Sequence, residues 1–482
     1  MDYAKLGLKA GIEIHQQLAT HKLFCSCPSL IRQDNPDFVV KRELRPLAGE
    51  LGKIDPAAIF EKKKRKYYLY EAYNDTTCLV ELDEEPPRAI NQEALDTVLL
   101  ISKMLNCKFP DMIQVMRKTV VDGSNTSGFQ RTVLVGHSGH IDTSFGHVGI
   151  QTVVLEEDSA RRTGETPESV TFRLDRLGIP LVEIATDPDC KTPEQVKEVA
   201  EKIGMLLRAT GKVMRGLGTI RQDVNVSITG HPRIEIKGVQ DLQHIPEIVA
   251  KEVQRQAESL KGKQKPEGHV RNVLPSLETK FLRPMPGAAR MYPETDLPYY
   301  FLEKDHIAKL RLPESPESIK SRLQKLGLSA DMVNQLATSE DLQMFMNFVK
   351  SFPKLNANLI ATTMQVTPKE VKRRLQLAEF DVKEEIFDCI FSGLSGGNAK
   401  CPAIVKESVA AIMESLAREK PHSLEALYVI MSRHKVLSDK ELAQEIQKIK
   451  KEYKGPKEKL IGIVMGKLRG KADPQKIIKL LK

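Results

Sequence analysis

The sequence predicts an α+β fold, in which a large mixed or antiparallel sheet domain precedes an all-α domain and a small helical tail domain. Apolar runs of about four to eight residues, separated by Gly, Pro and Asn, recur through residues 1–302, for example at 148–155 and 181–185. After residue 303 these strand signals fade and amphipathic helical repeats replace them. We therefore expect a sheet domain over 1–302, a helical domain over 303–420 and a basic tail domain over 421–482.

One strong helix is expected inside the sheet domain. Thr192 can act as its N-cap and Pro193 suits its first turn. Apolar residues then recur at helical spacing from Val196 to Leu207, and Gly211 follows as a stop signal. A second, more polar helix is predicted at 246–260. Beyond residue 303 we predict helices at 316–326, 330–338, 341–352 and 368–378.

Length and charge restrict the class of protein. A chain of 482 residues is too long for one ordinary core, so we expect two or three domains. The net charge is +9, and residues 440–482 alone hold 13 Lys and Arg against 5 Asp and Glu. A concentrated basic surface favours polyanions such as nucleic acid, although a solvated helical surface explains the charge equally well.

Location can also be inferred from composition. No apolar run approaches the roughly 20 residues that a membrane helix needs, so we expect no membrane contact. The first residues lack the apolar core of a signal peptide, and the 7 cysteines are odd in number and scattered. These features favour a reducing cytoplasm over a disulfide framework.

Acidic residues and one histidine recur in or beside the predicted strands, and they indicate a cation site. Buried charge in a strand is costly unless it is solvated, paired or bound to metal. Glu13 and His15 are two positions apart, so on a strand they point to one face, where they could contribute to a site for a hard cation or form a surface pair. No phosphate-binding Walker A sequence and no dinucleotide glycine fingerprint occurs. A bound nucleotide would therefore be held by other means.

Two loops also have a composition that suggests function. Residues 122–132 are small, rich in hydroxyl groups and bounded by glycine, and they could line a phosphate or carboxylate site or form an ordinary loop. Residues 283–296 combine Pro and Gly with Arg, Tyr and acids, which suits either a functional loop or a domain connection.

Cys25 and Cys27 could form half of a zinc site. Tetrahedral zinc needs four ligands, and no Cys-x-x-Cys follows; Cys78 and His21 are conceivable partners. Buried structural thiols are the favoured interpretation.

Taken in order along the chain, seven strings resemble the E-subunit family of archaeal glutamyl-tRNA(Gln) amidotransferases, which is homologous to the bacterial and organellar B subunits. The strings are residues 11–15, 122–132, 155–160, 175–184, 221–225, 235–237 and 290–296. The resemblance covers nearly the whole chain. The basic end, from residue 459 to residue 474, is similar to the tRNA-binding tail domain of both kinds of subunit.

The resemblance implies a cradle domain, a helical domain and a tail domain that act together on tRNA. The cradle domain would transfer the γ-phosphoryl group of ATP to the side-chain carboxylate of glutamate on misacylated Glu-tRNA(Gln), with Mg²⁺ as cofactor. Ammonia would then displace phosphate to give Gln-tRNA(Gln). An asparaginase-like D subunit would supply the ammonia, and the complex would contain two D and two E subunits. Zinc is not expected.

The resemblance also assigns roles to residues. Metal binding is assigned to Glu13, His15, Glu157, Glu183, Asp223 and Glu235. Catalysis is assigned to four of these and one lysine, namely Glu13, His15, Glu157, Glu183 and Lys237. Contacts with ATP or the acceptor are assigned to Ser124, Asn125, Thr126, Ser127, Arg176, Arg221, Asn225, Arg290 and Tyr292. Contacts with tRNA are assigned to Lys459, Lys467, Arg469 and Lys471.

The chain departs from the family in lacking an inserted domain, besides the missing Cys-x-x-Cys, and two other functions remain open. E subunits usually carry an inserted domain that resembles part of bacterial aspartyl-tRNA synthetase, whereas only about 25 residues separate Gln256 from Leu282 here. The chain could instead be a non-catalytic tRNA-binding scaffold, but such a scaffold has no need of an acidic cluster near an anionic ligand. It could also be a metal-dependent hydrolase that binds no nucleic acid, which leaves the basic tail unexplained.

Overall fold

A computed structural model describes residues 1–43, 59, 66–216, 218–262, 265–285, 291–337, 339, 341–419, 423–453, 455, 457–468, 470–472 and 474–481. The chain divides into two compact units, Met1–Glu314 and Ser315–Lys482. The first unit is rich in strands and the second is helical, so the predicted α+β fold is confirmed. The division between the units lies beyond the predicted boundary at 302.

Strands occur only in the first unit, within the described part of the chain. In chain order they are β1 (Lys9–Gln17), β2 (Phe38–Arg42), β3 (Tyr67–Ala72), β4 (Met112–Ile113), β5 (Met116–Thr119), β6 (Phe129–Thr143), β7 (Gly146–Glu157), β8 (Arg161–Glu165), β9 (Ser169–Arg173), β10 (Pro180–Thr186), β11 (Ile220–Ser227), β12 (Ile234–Val239), β13 (His269–Val273), β14 (Thr279–Pro284), β15 (Met291–Pro293) and β16 (Tyr300–Phe301).

The described strands form one large mixed sheet and two small ones. The large sheet has the order β14-β13-β12-β11-β1-β10-β7-β6-β5-β15, and all neighbours in it are antiparallel except β12 and β13. A four-stranded sheet has the order β2-β3-β9-β8, and β16 pairs with β4. The first strand of the chain is therefore central, and its neighbours β10 and β11 come from much later in the sequence.

Helices cover one face of the large sheet. The helices of the first unit are α1 (Tyr3–Leu6), α2 (Gln92–Met104), α3 (Pro193–Ala209), α4 (Ile245–Ser259) and α5 (Lys304–Lys309). The α2, α3 and α4 helices pack against the central strands, and their apolar residues join those of the strands in one core. Burying this apolar area is the main stabilising contribution to the unit.

The predicted strong helix begins where its sequence signals place it. Thr192 caps α3 by accepting a hydrogen bond from the backbone N–H of Gln195, and the Gln195 side chain reciprocates at the cap backbone. Pro193 occupies the first turn. Val199 and Ile203, on the apolar stripe, are fully buried against the sheet.

The second unit consists of helices. They are α6 (Pro316–Lys325), α7 (Ala330–Ala337), α8 (Leu342–Ser351), α9 (Ala357–Gln365), α10 (Thr367–Arg374), α11 (Glu384–Leu394), α12 (Val409–Glu419), α13 (Leu424–Ser432), α14 (Asp439–Glu452), α15 (Lys457–Lys467) and α16 (Pro474–Leu481). Buried residues from α6 to α13 form one apolar cluster, and those of α14 to α16 form another. The predicted domain boundary near 420 stays a prediction, and residues 420–422 lie outside the described ones.

Two further observations bear on the expected location. No described helix has both the length and the apolar character that crossing a membrane requires. Cys389 and Cys401 form a disulfide, with their Cα atoms 5.4 Å apart, whereas the cysteine pattern favoured reduced thiols. The other five cysteines are free.

Candidate metal and phosphate site

Alternation along the central strands puts apolar and acidic residues on opposite faces of the large sheet. In β1, Ile12 enters the core, and Glu13 and His15 point the other way. Antiparallel pairing sets His15 opposite Glu183 on β10 and Glu13 opposite Asp223 on β11. Because neighbouring strands contribute to the same face, acids that are far apart in sequence come together.

The acids and the histidine form two groups. In each group, one ligand atom of each of three residues lies within 4.8 Å of the others. The first acid cluster is His15, Glu156 and Glu183, and the second acid cluster is Glu13, Asp223 and Glu235. The structure thus brings five of the six predicted metal ligands together and divides them between two positions.

The first acid cluster holds a charged pair. His15 Nε2 lies 3.2 Å from Glu183 Oε2, and Lys118 Nζ lies 3.1 Å from Glu156 Oε2 and 3.3 Å from Glu183 Oε2. Burial lowers the pKa of His15, but its contact with Glu183 and the charges of Glu156 and Asp223 raise it above the ordinary value. Burial likewise raises the pKa of Glu183, and Lys118 and His15 outweigh that effect and hold it below its usual range.

The second acid cluster is held by one lysine and one amide. Lys237 Nζ lies 2.5 Å from Asp223 Oδ2 and 2.7 Å from Glu235 Oε1. Asn225 Nδ2 donates a hydrogen bond of 2.9 Å to Glu13 Oε1. Burial first, and neighbouring carboxylates second, raise the pKa of Glu13. Burial lowers the pKa of Lys237, and its two carboxylate partners more than offset this and raise it.

The donor atoms of both clusters suit a hard cation such as Mg²⁺. Carboxylate oxygens predominate, and one imidazole nitrogen accompanies them. Asn225 Oδ1 is buried and accepts no hydrogen bond among the described residues, although its amide group contacts Glu13. A buried acceptor without a partner is costly, and this one belongs to a side chain that contacts the second acid cluster. The residues present therefore fit the expected cofactor.

A cavity of about 590 Å³ opens beside the first and second acid clusters. Its volume is in the range that holds a nucleotide-sized ligand. His15, Glu156 and Asp223 line it together with many cationic side chains, which are Lys66, Lys118, Arg162, Arg176, Arg221, Lys237 and Arg283. Acids that suit a cation and bases that suit phosphate thus face one space.

Arg176 and Arg221 are held at this cavity by a buried carboxylate. Arg221 Nη2 lies 2.8 Å from Asp158 Oδ1, and Arg176 Nε lies 3.7 Å from Asp158 Oδ2. Gln17 Nε2 donates a further hydrogen bond of 2.7 Å to Asp158. Burial raises the pKa of Asp158, but the two arginines and Gln17 lower it overall. Both arginines line the cavity, which agrees with the predicted phosphate-binding role. The phosphate contact itself stays a prediction.

Glu157, predicted as a metal ligand, points away from the acid clusters. It shares its direction along β7 with Leu155, which lies in the apolar core. Its carboxylate accepts a hydrogen bond of 3.1 Å from the backbone N–H of Arg131 and lies 3.5 Å from the Arg131 guanidinium. Burial raises the pKa of Glu157, and Arg131 offsets this only in part. The structure corrects the assignment: Glu156, not Glu157, joins the site.

The hydroxyl-rich loop contributes less to the cavity than predicted. Ser124 lines it, and its Oγ donates a hydrogen bond of 2.6 Å to Asp122 Oδ1. The polar side chains of Asn125, Thr126 and Ser127 instead bond to protein partners, respectively Ser159 Oγ at 2.9 Å, the carbonyl of Glu81 at 2.6 Å and the carbonyl of Phe129 at 3.0 Å. These three side chains hold the loop in place, because each is already bonded to a protein partner in the loop or beside it.

Two residues of the Pro-rich loop were also predicted to bind ATP or the acceptor. Tyr292 lies on β15 and packs edge-on against Phe129, with ring centroids 6.4 Å apart, and it is not among the residues that line the cavity. Arg290 lies outside the described residues.

The predicted tRNA contacts lie in the last helices. Lys467 ends α15, half-exposed, with its Nζ 3.6 Å from Glu452 Oε2. Lys471 is exposed. Arg469 and the side chain of Lys459 lie outside the described part of the chain. Binding of tRNA by these residues stays a prediction.

A separate group of possible metal ligands comes from residues 25–81. One ligand atom each of Cys25, Cys27, Cys78 and Glu81 lies within 4.8 Å of the others. The hydrogen bond between the thiols of Cys25 and Cys27 is the main cause that lowers the pKa of Cys27 to about 7. His21 instead directs Nδ1 at the carbonyl of Cys25, 3.0 Å away. Cys78 was a conceivable ligand from the sequence. Glu81, which supplies a fourth ligand atom, was missed. The expected absence of zinc stays a prediction.

Glu156 and Lys118 belong to the first acid cluster, and the assignment of roles missed both of them. Val154 on β7 pairs with Glu183, so the residue two positions further, Glu156, points to the same face. This placement requires the register of β7 on β10, which the sequence does not state. Lys118 lies in a four-residue strand with no alternation of apolar and polar residues, so no sequence signal marked it.

Comparison with known proteins identifies the family. A family model described as the GatB/GatE catalytic domain matches residues 8–308. The chain is 35% identical to the E subunit of the glutamyl-tRNA(Gln) amidotransferase of Methanococcus maripaludis strain C7, over 98% of this chain and 97% of that protein. It is also 35% identical to the E subunit from Methanocaldococcus jannaschii and 34% identical to that from Sulfurisphaera tokodaii, in both cases over 100% of this chain and 99% of the relative.

The alignments also show that this chain is shorter than these relatives. They extend over 617 to 632 positions, whereas the chain has 482 residues. In the place where the sequence indicated a missing insertion, α4 is followed by the β13–β14 hairpin. The match to the catalytic-domain model over more than half of the chain, together with the identity to E-subunit relatives over nearly its whole length, shows that the chain belongs to the GatB/GatE family.

Proposed function

We propose that this chain is the E subunit of a glutamyl-tRNA(Gln) amidotransferase and that it activates the side-chain carboxylate of glutamate on misacylated Glu-tRNA(Gln). The main support is that residues of both acid clusters and a set of cationic side chains line one cavity. A site that joins ATP to an anionic carboxylate needs both features, because phosphate and carboxylate repel each other.

The proposed reaction has two steps. A carboxylate oxygen attacks the γ-phosphorus of ATP, the bond to the β,γ-bridging oxygen breaks, and ADP leaves. Ammonia then attacks the carbonyl carbon of the acyl phosphate, and inorganic phosphate leaves with loss of a proton to give the amide of Gln-tRNA(Gln). The first step is needed because oxide is a poor leaving group at neutral pH.

The protein groups contribute charge and position. Mg²⁺, when bound, would screen the phosphates from the acceptor carboxylate and stabilise the transferring phosphoryl group. The first and second acid clusters would hold it. Arg176, Arg221 and Lys237 would contact phosphate oxygens, and Asp158 keeps the two arginines oriented before the substrate arrives. Binding within the cavity would limit loss of the acyl phosphate to water.

Ammonia and tRNA require parts outside this cavity. The names of the relatives identify them as one subunit of an amidotransferase, which supports a complex with other subunits. We propose an asparaginase-like D subunit as the source of ammonia, in a complex of two D and two E subunits. The helical residues after 315 and the basic tail would hold the tRNA through phosphate contacts and shape.

The test starts from the complex. The full chain is co-purified with an asparaginase-like subunit, and release of γ-phosphate from ATP is measured with Glu-tRNA(Gln) and with Glu-tRNA(Glu). We expect release that depends on Glu-tRNA(Gln) and is abolished by Glu156→Gln. Release that is equal with both tRNAs would contradict the proposal. Release that survives Glu156→Gln would favour a non-catalytic scaffold, with the ATP hydrolysed elsewhere.

A further inference from the structure

The first acid cluster already contains a cation of the protein itself. Lys118 lies on β5, which β7 and β6 separate from β10 in the large sheet. Its Nζ lies within hydrogen-bond distance of Glu156 Oε2 and Glu183 Oε2. Glu183 Oε2 is also the oxygen that faces His15. The ammonium therefore sits among the ligand atoms and offsets the repulsion between the two carboxylates.

The second acid cluster has the same arrangement with a different lysine. Lys237 extends from β12 and contacts Asp223 Oδ2 and Glu235 Oε1. In each cluster, the ammonium thus bonds two of the three residues that would ligate a divalent cation. Two strands on opposite sides of β1 and β10 supply the two lysines, so the arrangement occurs twice and independently.

A divalent cation and the ammonium compete for the same position. Mg²⁺ binds carboxylate oxygens at about 2.0–2.1 Å, so it would lie between the oxygens that the ammonium now contacts. Two positive groups on the same pair of oxygens repel each other strongly. Binding of the cation therefore requires Nζ of each lysine to leave its cluster.

The cavity gives both ammonium groups another place. Lys118 and Lys237 both line it, and their side chains are 21% and 31% exposed. A lysine carries its charge on a flexible four-carbon stem, so the ammonium can move while its strand stays in place. Phosphate groups that enter the cavity with the cation would offer the displaced ammonium a new anionic partner.

We infer that Lys118 and Lys237 act as internal counter-ions, which occupy the acid clusters until a divalent cation binds and then contact the phosphates of the nucleotide. This inference rests on the proposed function, because it concerns the same cavity and its nucleotide. The exchange couples the two ligands: the lysines weaken binding of the cation alone and strengthen binding of the nucleotide. A free cation and a free nucleotide each bind weakly, and together they bind well.

The test measures the two ligands separately on the full chain. Lys118→Met and Lys237→Met remove the charge and keep an unbranched side chain of similar length. Binding of Mn²⁺ alone is followed by electron paramagnetic resonance, and binding of AMP-PNP is followed in the presence of Mn²⁺. We expect each substitution to strengthen binding of Mn²⁺ alone and to weaken binding of AMP-PNP, each by about tenfold. A lysine with a purely structural role would not shift the two affinities in opposite directions.

Matched variants keep the result interpretable. Lys118→Arg and Lys237→Arg retain the positive charge, so the affinity for Mn²⁺ alone should stay far closer to that of the wild type. Lys197 on α3 bonds Gln243 Oε1 at 2.6 Å and is not among the cavity residues, so Lys197→Met should change neither affinity. Thermal unfolding with and without Mn²⁺ checks folding: the two methionine variants at the clusters should be destabilised without Mn²⁺ and recover with it.

Three contrary results are distinguishable. If Glu156→Gln weakens Mn²⁺ binding and both methionine variants at the clusters leave it unchanged or weaker, the counter-ion inference is overturned while the metal site stands. If neither Glu156→Gln in the first acid cluster nor Glu235→Gln in the second changes Mn²⁺ binding, the metal site and the proposed function fail together. A methionine variant that stays destabilised in saturating Mn²⁺ also overturns the inference, because its lysine then stabilises the fold itself.

Discussion

Glu156 and Glu157 are adjacent in the chain, yet their carboxylates lie on opposite faces of the large sheet. Glu156 joins His15 and Glu183 in the first acid cluster, whereas Glu157 pairs with Arg131 on the core side. The two residues are chemically identical, so a matched pair of substitutions separates a ligand role from a structural one.

Glu156→Gln should weaken Mn²⁺ binding by about 10- to 100-fold, because it removes a charged oxygen ligand. Glu157→Gln should leave Mn²⁺ affinity near that of the wild type and lower stability by about 1–3 kcal/mol, because buried Arg131 loses one of its two charged partners and keeps Glu294. Titration with Mn²⁺ and thermal unfolding give the two quantities. Equal loss of Mn²⁺ affinity in both variants would refute the assignment of Glu156.

Gly123 is predicted to tolerate no side chain. Its φ is +82°, and an added Cβ would lie 2.2 Å from a ring carbon of Tyr68, which lines the cavity. Gly123→Ala should therefore destabilise the first unit by about 1–3 kcal/mol, since the ring or the loop must move, and it should weaken AMP-PNP binding. Gly128→Ala is the control: its φ is +76° with nothing within 4 Å, so only backbone strain is added. If the control lowers the unfolding temperature equally, the close approach to Tyr68 is not the cause.

Glu252 should give the first unit a pH-dependent stability. Burial raises the pKa of Glu252, but hydrogen bonds from Arg255, Gln256 and Thr279 hold it below the ordinary value of 4.5. A lowered pKa in the folded state contributes stability that is present above about pH 4.5 and is lost as the pH falls through the folded pKa. Glu252→Gln should therefore cost about 1.5–3 kcal/mol at neutral pH and progressively less below pH 4.5.

Unfolding temperatures measured from pH 7 down to pH 3 test this prediction. Glu258→Gln, an exposed position on the same helix, is the control and should show little effect at any pH. A deficit in Glu252→Gln that stays constant over the whole range would contradict the prediction.

Removal of residues 439–482 should weaken tRNA binding without unfolding the rest of the chain. The helices α14 to α16 have their own apolar cluster, separate from that of α6 to α13. We expect lower affinity for tRNA and a smaller dependence on salt concentration, because fewer counterions are released. Binding assays at several salt concentrations measure both. Affinity that is unchanged after the deletion would favour the alternative of a hydrolase without nucleic acid.

Sequence signals predicted the elements whose causes are local. Thr192, Pro193 and Gln195 fix the start of α3 through a capping box, and the predicted helix begins there. By contrast, the predictions for the second unit passed over α9 (Ala357–Gln365). This segment carries no charged residue and contains two threonines, so little polar periodicity shows in the sequence, and tertiary burial of Ile360 decides its conformation.

The residue types of the candidate site were predicted more accurately than the individual residues that form it. Five acidic or imidazole residues that the resemblance singled out do converge. The error at Glu157 arose because a shift of one residue reverses the face of a strand, and that choice is set by pairing between β7 and β10. Lys118 was missed for a related reason. Its role depends on the strand order that brings Glu156 and Glu183 within reach of its side chain, and the sequence does not state that order.

The position of β1 between β10 and β11 has a consequence for how the protein is made. Asn225 donates its hydrogen bond to Glu13 across 212 positions of the sequence, and Glu235 of the second acid cluster is synthesised later still. Contacts of such long range form slowly, and a chain emerging from the ribosome exposes its first strand long before the neighbours of that strand exist. A nascent chain arrested before Glu235 emerges would therefore leave β1 without a complete sheet and depend on chaperones.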